Sequence, residues 1–245
     1  MITLGLDPSL RGYGWAVHDS SAKGKNRRIA SGHEGTLSSI VPVARFMHFQ
    51  ALVTSLLNKF PDINAVGIES PAYDAGPFQS IHFGLMTFSQ VPIFEKRKDM
   101  VLYDPATLKY LAKEDPVKRK GIMGKADMQR RVQLDTLDTK VIDNNEADAY
   151  LIALYAARFF DMKNGLVKLT DLTPSEHSVF IGRQRKIKTR AGSKTQHTAH
   201  AFRENARWFE FSKIPRGSVN LPQKDAINPE VLQFLDKLSA DAGSV

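Results

Sequence analysis

Two short apolar runs, Ile2-Thr3-Leu4-Gly5-Leu6 and Ala65-Val66-Gly67-Ile68, each end on a carboxylate, Asp7 and Glu69. Apolar runs this short, followed by Gly12 after the first and Pro71 after the second, predict buried strands rather than helices. An acid at the end of such a strand is costly to bury unless it is paired or bound to a cation. Tyr13-Gly14-Trp15-Ala16-Val17 resumes an extended pattern and predicts a hairpin with the first run. Residues 41–60 place Val43, Phe46, Met47, Leu52, Val53, Leu56, Leu57 and Phe60 at helical spacing, and Pro61 closes them. Further helices are predicted over 76–90, 105–113, 124–137 and 146–162, with a strand over 100–104. Alternation of this kind predicts an α/β sandwich whose core ends near residue 163.

Beyond that point the charge changes. The chain carries a formal net charge of +8, and residues 176–220 hold 10 basic residues against 3 acidic ones. Bases there interleave with Phe202, Trp208, Phe209 and Phe211, which predicts a nucleic-acid-binding arm, partly disordered until DNA orders it. His197 and His200 are read as further DNA contacts. The expected organisation is therefore a compact unit over 1–163 and a basic extension with a terminal helix over 164–245. The chain has no cysteine, so disulfides, thiolate catalysis and cysteine-held metals are excluded. The N-terminus carries neither a charged leader nor a long apolar run, which predicts a cytoplasmic protein that does not span a membrane.

The acids are the chemically informative residues. Magnesium takes oxygen ligands, and a phosphodiesterase site needs several carboxylates converging from separate elements. Asp7, Glu69 and Asp148 meet that requirement, Asp148 lying on a helix of small and apolar residues. On that helix residues three apart share a face, so Asn145 lies beside Asp148. Asn145 and Glu146 are equal candidates for a further ligand, and Asp143 is read as the helix N-cap. Two magnesium ions about 3.5–4 Å apart would suit an in-line displacement that leaves a 5′ phosphate. Lys125, at a predicted helix start, can hold a phosphate or assist catalysis.

Three segments carry a resemblance to the RuvC Holliday junction resolvases: Leu4 to Ala16, Val66-Gly67-Ile68-Glu69-Ser70-Pro71, and Asn145-Glu146-Ala147-Asp148-Ala149-Tyr150-Leu151. Gly121 to Arg131 resembles the family's glycine–lysine stretch, and the likeness spans roughly residues 1–160. It implies an RNase H-like mixed sheet flanked by helices, a homodimer on four-way junctions, and magnesium or manganese as cofactor. By the same likeness Asp7, Glu69 and Asp148 match the family's acidic positions. Asn145 stands where the family usually has an acid or histidine, and Ala72 where it has an aromatic wedge, a role open to Tyr73 or Phe78. The basic extension looks similar to elaborated bacteriophage versions. Expected DNA contacts are Arg11, Tyr73, Phe78, Lys125, Arg183, Arg185, Lys186, Lys188 and Arg190.

Two rivals are weaker, and a third stays open. An actin-like ATPase or sugar kinase opens with a similar motif but repeats it in a second domain and is longer. A DNA-binding relative that has lost catalysis is conceivable from Asn145. A nuclease for flaps or forks would share every motif above.

Overall fold

The computed structural model describes residues 1–9, 12–35, 41–70, 79–113, 123–140, 142–180, 183–189, 192–198, 201–204 and 207–210, by backbone alone at 79–80 and from 183 onward. Strands β1 (Ile2–Asp7) and β2 (Tyr13–Asp19) form the expected hairpin, antiparallel from Ile2↔Asp19 to Asp7↔Gly14. Strand β3 (Arg28–Glu34) pairs antiparallel with β2, although its polar sequence carries no apolar alternation. Helix α1 (Pro42–Lys59) then leads to β4 (Ala65–Glu69), which lies parallel to β1 with Gly5 opposite Gly67. Helix α2 (Gln79–Glu95) leads in the same way to β5 (Asp99–Tyr103), parallel to β4. Helices α3 (Pro105–Leu111), α4 (Lys125–Thr136), α5 (Asn144–Lys163) and α6 (Pro174–Phe180) follow.

The basic segment is built into strands along its described length. β6 (Arg183–Thr189) and β7 (Gly192–Thr198) pair as a separate antiparallel ribbon. β8 (Ala201–Glu204) and β9 (Arg207–Glu210) form a second hairpin, and β8 joins the edge of β5 through Met100↔Arg203 and Val101↔Phe202. The main sheet therefore runs β3-β2-β1-β4-β5-β8-β9, mixed in direction and flanked by helices, as the sequence predicts. The terminal helix predicted within 221–245 lies outside the described residues.

Successive strand residues face opposite sides of a sheet, and this alternation sets the two cores. Leu4, Leu6, Val66 and Ile68 point to the layer of α1 and α2, where they pack with Phe49, Val53, Leu57 and Leu85. Each such side chain, fully buried, contributes roughly 1.5–3 kcal/mol. The intervening positions face α5, which is buried nearly all round because the sheet covers one side and α3, α4 and α6 share the other core. Those positions are small. A Cβ on Gly5 would lie 1.9 Å from the Ala149 carbonyl oxygen, and one on Gly14 would lie 2.2 Å from that of Asn145. The α5 backbone thus rests directly on β1 and β2, and Thr3 Oγ1 donates to the Ala153 carbonyl at 2.8 Å. At the far end Arg158 grips Glu176 of α6 with Nε and Nη2 at 3.0 and 3.1 Å.

Candidate active site

The alternation that aims Gly5 and Gly67 at α5 also aims Asp7 and Glu69 there, two residues on and at the carboxyl ends of adjacent parallel strands. Helix α5 completes the set. Its N-cap is Asp143, whose carboxylate accepts from the Asn145 N–H at 2.8 Å, as the sequence predicts. With the helix seated on Gly14 and Gly5, Asp148 falls beside Asp7 and Glu69. The three acids and Asn145 line one open cavity of about 280 Å³. Ser9 and Ser70 supply hydroxyls to the same space, and His82 and Met86, one turn apart on α2, form another part of its wall.

The electrostatics are those of crowded, desolvated acids. Burial, then the neighbouring Asp148 and Asp143, push the Asp7 carboxyl up to about 7, while Lys125 opposes them. Burial raises Asp148 to about 6, against Lys109 and Lys125. Glu69 is raised well above the usual carboxylate range by burial, Asp7 and Asp148. Among the described residues none of the three makes a hydrogen bond or ion pair. An all-oxygen donor set with unneutralised charge fits a hard divalent cation. The acids ring the cavity rather than close on one point. Among the described residues no three acidic or histidine side chains are gathered tightly enough to hold an ion as they stand.

The structure separates the two candidates for the further ligand. Asn145 lines the cavity, and a Cβ on Gly12 would come within 2.6 Å of its amide nitrogen. Glu146 does not line it: its carboxylate accepts from Ser31 Oγ at 2.6 Å and lies 3.5 Å from His33 Nδ1, both on β3. One residue along a helix is a rotation of about 100°, which carries Glu146 off the face of Asp148 and onto the edge strand. Lys125 is the first residue of α4, exposed and outside the cavity wall, though its charge reaches Asp7 and Asp148. Arg11, Tyr73, Phe78 and Arg190 lie outside the described residues. Arg183, Arg185, Lys186 and Lys188 all fall on β6. Two groups escaped the sequence reading. Lys109, on α3, holds the charged forms of Glu69 and Asp148, and the Asp104-Pro105 helix start before it was the available signal. His82 had none.

No family model matches the chain, and no curated protein matches it. Solved structures do. A Thermus thermophilus RuvC structure aligns with a TM-score of 0.57 at 22% identity, over 66% of this chain and 96% of that one. T. thermophilus RuvC in complex with Holliday junction substrate aligns at 0.55 and 19% identity, with the same coverage. The chain therefore has a RuvC-like fold. No helix among the described residues is long and apolar enough to cross a membrane.

Proposed function

We propose that this chain is a metal-dependent DNA endonuclease that resolves four-way junctions and related branched DNA, leaving 5′ phosphates. The observation that carries the reading is the convergence of Asp7, Glu69 and Asp148 from β1, β4 and α5 on one cavity. The fold supports it, being similar to that of a protein solved with a Holliday junction substrate.

Asp7, Glu69, Asp148 and the Asn145 amide oxygen are the groups that would hold magnesium or manganese, two ions in all. Bound there, the metal would supply Lewis acidity toward the phosphate and lower the pKa of the attacking water. The chain's own residues do the rest. The three acids fix where positive charge collects; Lys109 opposes the upward shift of Glu69 and Asp148, and Lys125 that of Asp7 and Asp148. Asn145 adds an oxygen without charge, which leaves the site three negative charges rather than four. Ser9 and Ser70 offer donors to an incoming phosphate. In this reading residues 1–163 are the nuclease unit, and residues 164–245 the extension that grips DNA. Arg183, Arg185, Lys186 and Lys188 on β6 supply its sequence-independent hold on the backbone. Two copies pair through the α1–α2 layer, where Val43, Met47 and Phe83 are 56%, 61% and 41% exposed.

The lone amide at 145 favours one second reading, a branched-DNA-binding protein without catalysis. Cleavage of a labelled immobile four-way junction with magnesium, beside a linear duplex and a flap, separates the two. Symmetric nicking lost in Asp7→Asn and Glu69→Gln is the result expected. Tight binding without any cutting would establish the second reading, and equal cutting of all branched substrates would make junction resolution one activity of a broader debranching nuclease.

A further inference from the structure

We propose that His82 of α2 is a substrate-contacting residue, the donor that meets the scissile phosphate on the wall of the cavity formed by α2. The inference rests on the nuclease reading above.

The cavity has a charge problem. Among the described residues its acidic lining groups are Asp7, Glu69 and Asp148, and a phosphodiester brings another negative charge to this crowded set. Lys109 and Lys125 act on the acids, yet neither lines the space. Ser9, Ser70 and Asn145 are neutral. Among the described residues His82 is the one lining side chain able to carry positive charge, and its ring N–H donates to a phosphate oxygen whether or not the second nitrogen is protonated.

Its surroundings leave it free for this task. His82 is half-buried, and among the described residues it makes no hydrogen bond or ion pair. The other histidines near the sheet are used differently. His33 lies against Glu146 and Asp143, and His18 is sealed in the core with its ring edge on Tyr150. Helical spacing explains the placement: Leu85 and Ser89 turn into the core, so His82 and Met86 share the stripe beside the cavity.

The test uses the full chain. Junction affinity is measured in an Asp7→Asn background, and single-turnover cleavage with magnesium in the otherwise native protein. His82→Ala should weaken junction binding about tenfold, as the loss of one charge-assisted hydrogen bond does, and slow cleavage about 10- to 100-fold. His82→Gln, which keeps an N–H donor, should recover part of both. Thr87→Ala, one exposed position farther along α2, should change neither. Sulfur placed at each non-bridging oxygen of the scissile phosphate gives a readout that a merely structural role would not move. One diastereomer should slow the native protein and cease to matter in His82→Ala. Unchanged affinity, or an unchanged diastereomer ratio with cleavage within about twofold of native, would overturn the contact. If the native protein fails to cut at all, the nuclease reading falls, and the binding measurement alone then decides whether His82 meets the phosphate.

Discussion

Substituting alanine at Gly5 should unseat α5 and with it Asp148. The added Cβ would stand 1.9 Å from the Ala149 carbonyl oxygen and 2.5 Å from the Ala153 nitrogen. Both are helix backbone atoms with no rotamer to escape into. Ordinary van der Waals contact begins near 3.4 Å, so the carbonyl must retreat by roughly 1.5 Å, and a gap of even about 0.5–1 Å forfeits a quarter to a half of the dispersion energy along the interface. Overpacking alone costs about 1–3 kcal/mol in a well-packed core. With the dispersion energy given up as α5 lifts, we expect a destabilisation of about 3–5 kcal/mol, read as a lower urea midpoint with an unchanged slope. Gly165→Ala is the contrast: nothing lies within 4 Å of its Cβ, and only its φ of +74° opposes the change, so about 1 kcal/mol is expected. Cleavage should suffer more than stability at Gly5, because a shift of about 1 Å in a reacting group can cost 100-fold. A Gly5→Ala protein within about 1 kcal/mol of native would refute the claim that this glycine sets the height of the helix.

Other outcomes follow from buried charge. With its carboxyl held up at about 7, Asp7 contributes stability that is complete below pH 4 and lost as pH rises through 7. In metal-free buffer at pH 7.5, Asp7→Asn should therefore gain about 2 kcal/mol, a figure reduced from the full shift because the group is only part-buried. A stability gap between Asp7→Asn and the native protein that stays the same from about pH 4 to 7.5 would count against this. His18 has the opposite sign. Burial pulls it down to about 4, so stability present above pH 6.5 drains as pH falls toward 4, by up to about 3 kcal/mol. His18→Phe should abolish that acid loss in thermal melts, and an unaltered profile would show that the ring is not sealed from protons. Arg158→Ala strands the Glu176 carboxylate, 5% exposed, and should cost about 3 kcal/mol in urea titration, against much less for the double change with Glu176→Gln.

How much of this was legible depended on where the decisive neighbour lay. Asp7, Glu69 and Asp148 stood out because an acid on an apolar element is a local contradiction, visible without knowing the fold. Strand β3 was invisible because an edge strand needs only its backbone ladder to β2, and Arg-Ile-Ala-Ser-Gly-His-Glu offers no apolar face to reveal it. That omission had a consequence at the site: without β3 there was no Ser31 or His33 to claim Glu146, so it stood level with Asn145. His82 was hidden for a related reason. Its helix and the acids are brought together only by the topology, and no spacing along the chain records that. In the basic segment, charge concealed the β6–β7 ribbon, since lysine and arginine give no strand signal.

The seam between β5 and β8 has a consequence for how the chain comes off the ribosome. Residues about a hundred positions apart must find each other there, so the first five strands can assemble while β5 still presents a bare row of amide and carbonyl groups. Such a row is a template for any other strand, including that of a neighbouring nascent chain. A shortened protein ending before Ala201 would keep that template exposed for good, and should be prone to sticky, edge-to-edge association. The hairpin of β8 and β9 therefore moves the sheet's edge from β5 out to the short strand β9.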